Sequence, residues 1–307
     1  MTSQAAPVGS ATTAPGPASP DDGPEEAGPG APHTRRVAGR TRLQRVRTTA
    51  ISLLVLILAW WSVTAAGLVQ PLFLPSPGAV LSAFVQANSC RPVTEDATRW
   101  ACGEQGYFMW EHLAHSLRRI AIGVGAGAVV GVAIGVLLGT IRTLREILEP
   151  YLHFLRALPP LGYIGLLIVW FGIGDTSKIW LLFLAAFPPI AMATLAGVQG
   201  VRTTRVDAAR SLGATRFQVM RHVTIPSALP EVIGGIRIAT GFTWTTVVAA
   251  ELNNGIPGIG GLAYISGTQL QTPLTIACII VIGLAAVALD ALIAAIGRIV
   301  TPWQGRA

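Results

Sequence analysis

The stretch DAARSLGATRFQVMRHVTIPSALP, Asp207 to Pro230, is polar and arginine-bearing, yet it is wedged between two of the most apolar segments of the chain. Its reading decides the fold, because a charged segment so placed must lie outside a bilayer that its neighbours cross. Thr204 and Asp207 stand at capping-box spacing, with Asp in the place of the usual Glu or Gln, and predict a helix start; Thr215 and Gln218 repeat the spacing. Gly213 falls between them as a turn residue, and Pro226 and Pro230 are expected to stop the second helix and start the next span. The predicted unit is an elbow of two short helices that presents Ala208, Ala209, Leu212 and Phe217 to a neighbour. The alternative is an ordinary loop whose amphipathic helix rests on lipid headgroups.

Composition places the elbow in a membrane protein. Of 307 residues, 51% are hydrophobic and 12% are charged, against about 25% charged in an average soluble domain. The net charge of +7 comes from 21 arginines and the single Lys178. In so apolar a chain that excess orients helices against anionic headgroups and does not indicate a nucleic-acid partner. Six segments reach the ~20 apolar residues that a bilayer core requires: Thr48 to Val69, Arg119 to Ile141, Tyr151 to Phe171, Lys178 to Gln199, Val232 to Leu252 and Thr275 to Gly297. With the amino terminus in the cytoplasm, 17 of the 22 basic residues fall inside, and Arg91, Arg99, Arg118, Arg119 and Lys178 fall outside. The positive-inside rule favours that orientation, with both termini cytoplasmic.

The predicted organisation is a disordered, basic cytoplasmic tail over residues 1–47 and an all-α transmembrane domain over 48–307. The domain carries an extracytoplasmic loop at 70–118 and the elbow loop at 200–231. Residues 1–34 hold almost nothing that could be buried, and six arginines between Arg35 and Arg47 precede an uncleaved first span. EHLAHSLRRI, Glu111 to Ile120, reads as an amphipathic lead-in along the interface, with His112 and His115 solvated rather than bound to metal. Trp170 and Trp180 fall at the outer boundary, where such rings sit.

Several residues inside the spans point to packing or to a solute path. In GVGAGAVVGVAIGVLLG, Gly123, Gly127, Gly131, Gly135 and Gly139 form a stripe that admits a close helix neighbour, either within one subunit or at a subunit interface. Pro159 and Pro160 remove two amide donors and predict a kink or break, either beside a pathway or as a packing irregularity. TGFTWTT, Thr240 to Thr246, offers Thr243, Trp244 and Thr246 to a small polar solute, unless the hydroxyls bond back to their own helix. Glu251 is either a gate in that path or a cap on the loop NNGIPGIGG. Asp290 is expected to pair with an inner arginine, and Cys278 to pack as a small apolar residue. Cys90 and Cys102, on the oxidising side, are expected to form a disulfide.

Asp207-Ala208-Ala209-Arg210-Ser211-Leu212-Gly213, followed by Ile225-Pro226 and Ala228-Leu229-Pro230, resembles the permease subunits of ATP-binding-cassette importers. Their signature is Glu-Ala-Ala, a Gly after three further residues, and a more distant Ile-x-Leu-Pro. The resemblance covers about Phe73 to Gly305 and implies a type I permease core. It implies that Asp207, Ala208, Ala209, Arg210, Leu212, Gly213 and Phe217 couple to a separate ATPase. It also implies a second permease copy, an extracytoplasmic binding protein and no cofactor. VWFGIGDTSKI, VVAAEL and TPWQG are similar to taurine-type sulfonate permeases, with nitrate and cyanate relatives close behind, whereas SCRPVTEDATRWACGEQG departs from that pattern as an insertion. No phosphate-cradling G-x-x-x-x-G-K-S/T loop occurs, and Lys178 follows GIGDTS, so the chain is not itself the ATPase.

Overall fold

The computed structural model describes residues 42–92, 100–252 and 257–304. Residues 1–41 of the expected tail lie outside these, as do Arg99, Arg306 and most of the loop after Glu251. The chain divides into two units, Met1–Ile51 and Ser52–Ala307. Of the first, only the opening of helix α1 (Arg42–Ala65) is described, so helix begins ahead of the expected boundary at residue 48.

In the second unit, α1 ends and Trp60 donates its indole N–H to the Pro75 carbonyl at 3.0 Å. Then follow α2 (Pro77–Gln86), a hairpin of β1 (Cys90–Pro92) and β2 (Trp100–Cys102), and α3 (Met109–Thr140). The region 70–118 is therefore not an open loop. Ser76 caps α2 by accepting from the Ala79 amide, and the hairpin pairs Cys90 with Cys102 in antiparallel register, joined by a disulfide. The segment Glu111 to Ile120 is not an interfacial lead-in but the first turns of α3, with His112, Ser116 and Arg119 buried.

Helix α4 (Arg142–Ala157) leads into a 3-10 turn (Pro160–Tyr163) and α5 (Ile164–Phe171). These two parts meet at 95°, so the third span is broken at Pro159 and Pro160, as expected. Leu158 and Pro159 are extended there. A residue before proline is pushed out of the helical region, and two prolines in succession extend the effect. Helix α6 (Asp175–Gln199), α7 (Thr203–Ser211), α8 (Arg216–Val219), α9 (Ile225–Glu251), α10 (Ile259–Thr268) and α11 (Thr272–Val300) complete the chain. Among the described residues, five helices are long and apolar enough to cross a bilayer, or six if the bent pair counts as one.

The core is α6, with α3 on one side and α9 on another. The α6 span is 61% buried, whereas that of α11 is 11% buried and leaves most of its surface for lipid. The glycine stripe of α3 meets a matching four-residue row on α6. Gly123 lies against Leu182, Gly127 against Ala186, Gly131 against Ile190, Gly135 against Thr194 and Gly139 against Val198. A Cβ at Gly135 would stand 2.6 Å from the Ala191 carbonyl oxygen, so the two backbones touch only because no side chain intervenes. The stripe thus serves a contact within one chain. Cys278 is buried beside Ile259, Leu262 and Leu274.

Candidate functional site

The elbow is built from local hydrogen bonding. Helix α7 ends as the Gly213 amide donates to the Arg210 carbonyl at 2.9 Å and the Ala214 amide donates to Ala209 at 3.1 Å. This paired closure needs a left-handed residue, and Gly213 supplies it at φ +82°. Thr215 then opens α8, accepting from the Gln218 amide while the Gln218 side chain accepts from the Thr215 amide. The matching expectation for Thr204 fails: α7 starts at Thr203 after Arg202, with no side-chain cap. Thr204 lies within the first turn, where its hydroxyl has no free amide ahead of it at the cap position.

The prolines also act differently from the expected stop. Between α8 and α9 the chain stays helical through a π turn, Met220–Thr224, in which the Ile225 amide donates to Met220. Pro226 stands in the first turn of α9, at a helix start as expected, and Pro230 lies inside the helix. Proline clashes with the carbonyl four residues back, and the wider turn gives that carbonyl room. The second elbow helix and the long α9 are therefore one continuous rod.

Asp207, Ala208, Arg210, Leu212, Gly213 and Phe217 are exposed and Ala209 is half-buried. Leu212 is 89% exposed and Phe217 is 72% exposed. Ala209, Leu212, Gly213, Gln218, His222 and Val223 line a shallow concavity between the two elbow helices. Leu212 at this concavity and Phe217 on the next helix leave two large apolar side chains exposed in a segment rich in arginine.

At its other end α9 is held by ion pairs. Arg119 is 2% exposed, and its guanidinium contacts the fully buried Glu251 carboxylate at 2.5 Å, Asp175 at 2.8 Å and the Pro257 carbonyl at 2.6 Å. Glu251 also accepts from the Ser116 hydroxyl at 2.7 Å and the Gly260 amide at 2.8 Å. Ser116 in turn accepts from the Ile259 amide. His112 accepts from the Gly258 amide through Nδ1, which leaves Nε2–H to donate to the Glu104 carbonyl. The network joins the starts of α3, α6 and α10 to the end of α9. His112, Ser116 and Arg119 fall at i, i+4 and i+7, a spacing that puts them on one helix face and could have revealed the cluster from sequence.

The residues expected along a solute path lie inside this packing. Thr243 is fully buried and bonds back to the Ala239 carbonyl at 2.7 Å; Thr246 bonds back to Phe242 at 3.2 Å. Trp244 packs against Ile120, Val124, Leu182 and Val247, and its buried indole N–H has no partner among the described residues. Glu251 caps the loop into α10. All four side chains are buried in the conformation described. Asp290 pairs in two-point fashion with Arg237, at 2.8 and 2.7 Å.

A bundle of apolar helices, with an exposed elbow continuous with one of the spanning helices, is the architecture of a membrane protein of the permease class. The chain belongs to the family of binding-protein-dependent transport system inner membrane components, whose model matches residues 127–305. It is thus a multi-pass inner-membrane protein and a permease subunit, not an enzyme. Among its relatives, the taurine transport system permease protein TauC of Escherichia coli is 41% identical over 277 residues, 89% of this chain and 96% of that one. The putative aliphatic sulfonates transport permease protein SsuC of Escherichia coli is 31% identical, over 75% of this chain and 81% of that one. The nitrate import permease protein NrtB of Leptolyngbya laminosa is 32% identical, over 70% and 80%. A chain of the inward-facing MetNI methionine ABC transporter shares the fold, with a TM-score of 0.52 and 24% identity over 64% of this chain and 97% of that one.

Proposed function

We propose that this chain is the translocating subunit of an ATP-driven importer of taurine or a related aliphatic sulfonate. The observation that carries the reading is the 41% identity with the taurine permease across 89% of the chain. Two copies assemble with two ATPase subunits and receive cargo from an extracytoplasmic binding protein. The distribution of arginines supports a cytoplasmic location for both termini and the elbow.

In this mechanism the ATPase closes on the surface formed by Ala208, Ala209, Leu212 and Phe217, with Asp207, Arg210 and Gly213 setting its charge and shape. Because α8 runs into α9 without a flexible joint, displacement of the elbow becomes displacement of α9. The face of Thr243, Trp244 and Thr246 then meets the solute only when α9 parts from its neighbours, and Glu251 governs the end where cargo enters. Nitrate-like anions are the second reading, favoured by the 32% identity with the nitrate permease. Uptake of labelled taurine by cells with and without the gene tests the assignment. Loss of uptake on deletion is expected; unchanged uptake rejects taurine, and nitrate uptake lost in its place selects the second reading.

A further inference from the structure

The geometry points to a binding site for the acid group of the cargo at the break between α4 and α5, with Arg156 and Tyr163 as its polar contacts. This rests on the reading that the cargo is a small oxyanion. A cavity of about 170 Å³ opens there, lined on one side by Leu155, Arg156, Leu158, Pro160 and Tyr163 and on the other by Pro189 of α6 and Phe242 of α9. That volume is below the ~300–1,000 Å³ usual for drug-sized ligands and suits a solute of only a few heavy atoms. Pro189 and Phe242 are near the middle of their helices, so the cavity lies at mid-depth of the bundle.

Two features at that depth need a partner that apolar lipid cannot supply. Arg156, counted from sequence on the cytoplasmic side, instead lines this cavity; it is exposed and has no ion pair or hydrogen bond among the described residues. A charge at membrane depth without a counter-charge is costly and marks a water-filled or ion-bearing path. The other feature is the broken backbone. The carbonyls of Leu155 and Arg156 would accept from the amides four residues on, but those residues are Pro159 and Pro160, which have none. Irregular backbone within a bilayer persists only where it meets protein or lines a wet cavity.

The chemistry of the cavity therefore matches a short zwitterion better than a bare anion. A guanidinium fork binds the oxygens of a sulfonate in two-point fashion, and the Tyr163 hydroxyl donates to a third. Carbonyls without donors beside it suit an ammonium two carbons away, and the apolar wall formed by Leu158, Pro189 and Phe242 faces the methylenes. Phe242 lies on α9, the helix continuous with the elbow, so movement of the elbow changes the width of this site.

The test is equilibrium binding of labelled taurine to the detergent-purified permease–ATPase assembly without binding protein, with ethanesulfonate and nitrate as competitors and wild-type uptake measured in parallel. Arg156→Gln is expected to weaken taurine binding about ten- to a hundredfold, Arg156→Lys to restore part of it, and Tyr163→Phe to weaken it less. Arg142→Gln, on the exposed part of the same helix, leaves binding unchanged. Basal ATPase activity and elution profile check that each variant is assembled. Wild-type taurine uptake with binding unaffected by Arg156→Gln overturns the site and leaves the importer reading standing. Nitrate binding that depends on Arg156, without taurine uptake, keeps the site and rejects taurine. If the wild-type assembly neither binds nor imports any of the three anions, both the site and the substrate reading fall.

Discussion

Replacing Arg119 by Met should destabilise this chain more than almost any other single change in its interior. The substitution leaves the fully buried Glu251 carboxylate with the Ser116 hydroxyl and the Gly260 amide but without the guanidinium now 2.5 Å away. Breaking a buried pair from one side costs about 3–5 kcal/mol, and with Glu251 wholly enclosed the upper part of that range applies. Glu251→Gln should cost nearer ~3 kcal/mol, because Asp175 stays 2.8 Å from Arg119 and the amide keeps its contacts with Ser116 and Gly260. The double variant carries neither unpaired charge, so it should lose no more than the worse of the two singles. That implies a coupling of at least ~3 kcal/mol, the cost of the lesser single and the top of the range known for residues in contact. Unfolding of the full chain in mixed micelles, followed by helical circular dichroism, measures all three. Costs that add to within about 0.5 kcal/mol, as for independent sites, would refute the claim that these side chains act as one clasp.

Two further changes probe the packing and the elbow. Gly125→Ala, at a site with nothing within 4 Å of the new Cβ, should be neutral or stabilising by up to about 1 kcal/mol through helix propensity. Gly135→Ala should destabilise by roughly 1–2 kcal/mol, because overpacking of about 1–3 kcal/mol outweighs that gain where α3 and α6 touch; effects of the same sign in the same unfolding assay would show that the stripe is not a contact. Gly213→Pro cannot adopt φ +82° and loses the amide that donates to Arg210. It should leave the chain inserted in the membrane but abolish ATP-driven uptake in proteoliposomes, and full uptake would show that the elbow is not the transmitting element.

The spanning helices were legible because lipid demands long apolar runs, and α3, α6, α9 and α11 each supply one. Where sequence reading went astray, a local rule met a tertiary answer. Pro159 and Pro160 predicted a break, but not that α4, with its charged face, would turn by 95° from the rest of the span. Pro226 and Pro230 read as punctuation, and the π turn ahead of them let the helix continue instead. The glycine stripe announced a close neighbour without naming it, since a period of four residues on α3 says nothing about which helix carries the matching row. Arg119 was counted as an outer charge facing water, and its true partners lie 56 and 132 residues away in sequence. Only the alignment of His112, Ser116 and Arg119 on one face hinted that this charge pointed inward. The turn chemistry at Gly213 and Thr215 was the part most readable in advance, because its hydrogen bonds span only a few residues.

The π turn at Met220–Thr224 also sets the phase of everything after it. A residue advances an α-helix by about 100°, so losing one position from this wide turn would swing the row Thr240, Thr243, Val247 and Ala250 away from its present neighbours. The same deletion would leave the elbow's own capping bonds untouched. This short segment therefore behaves like a keyed shaft: its side chains can vary, but its length is fixed by the angular relation between the part that is gripped and the part that turns.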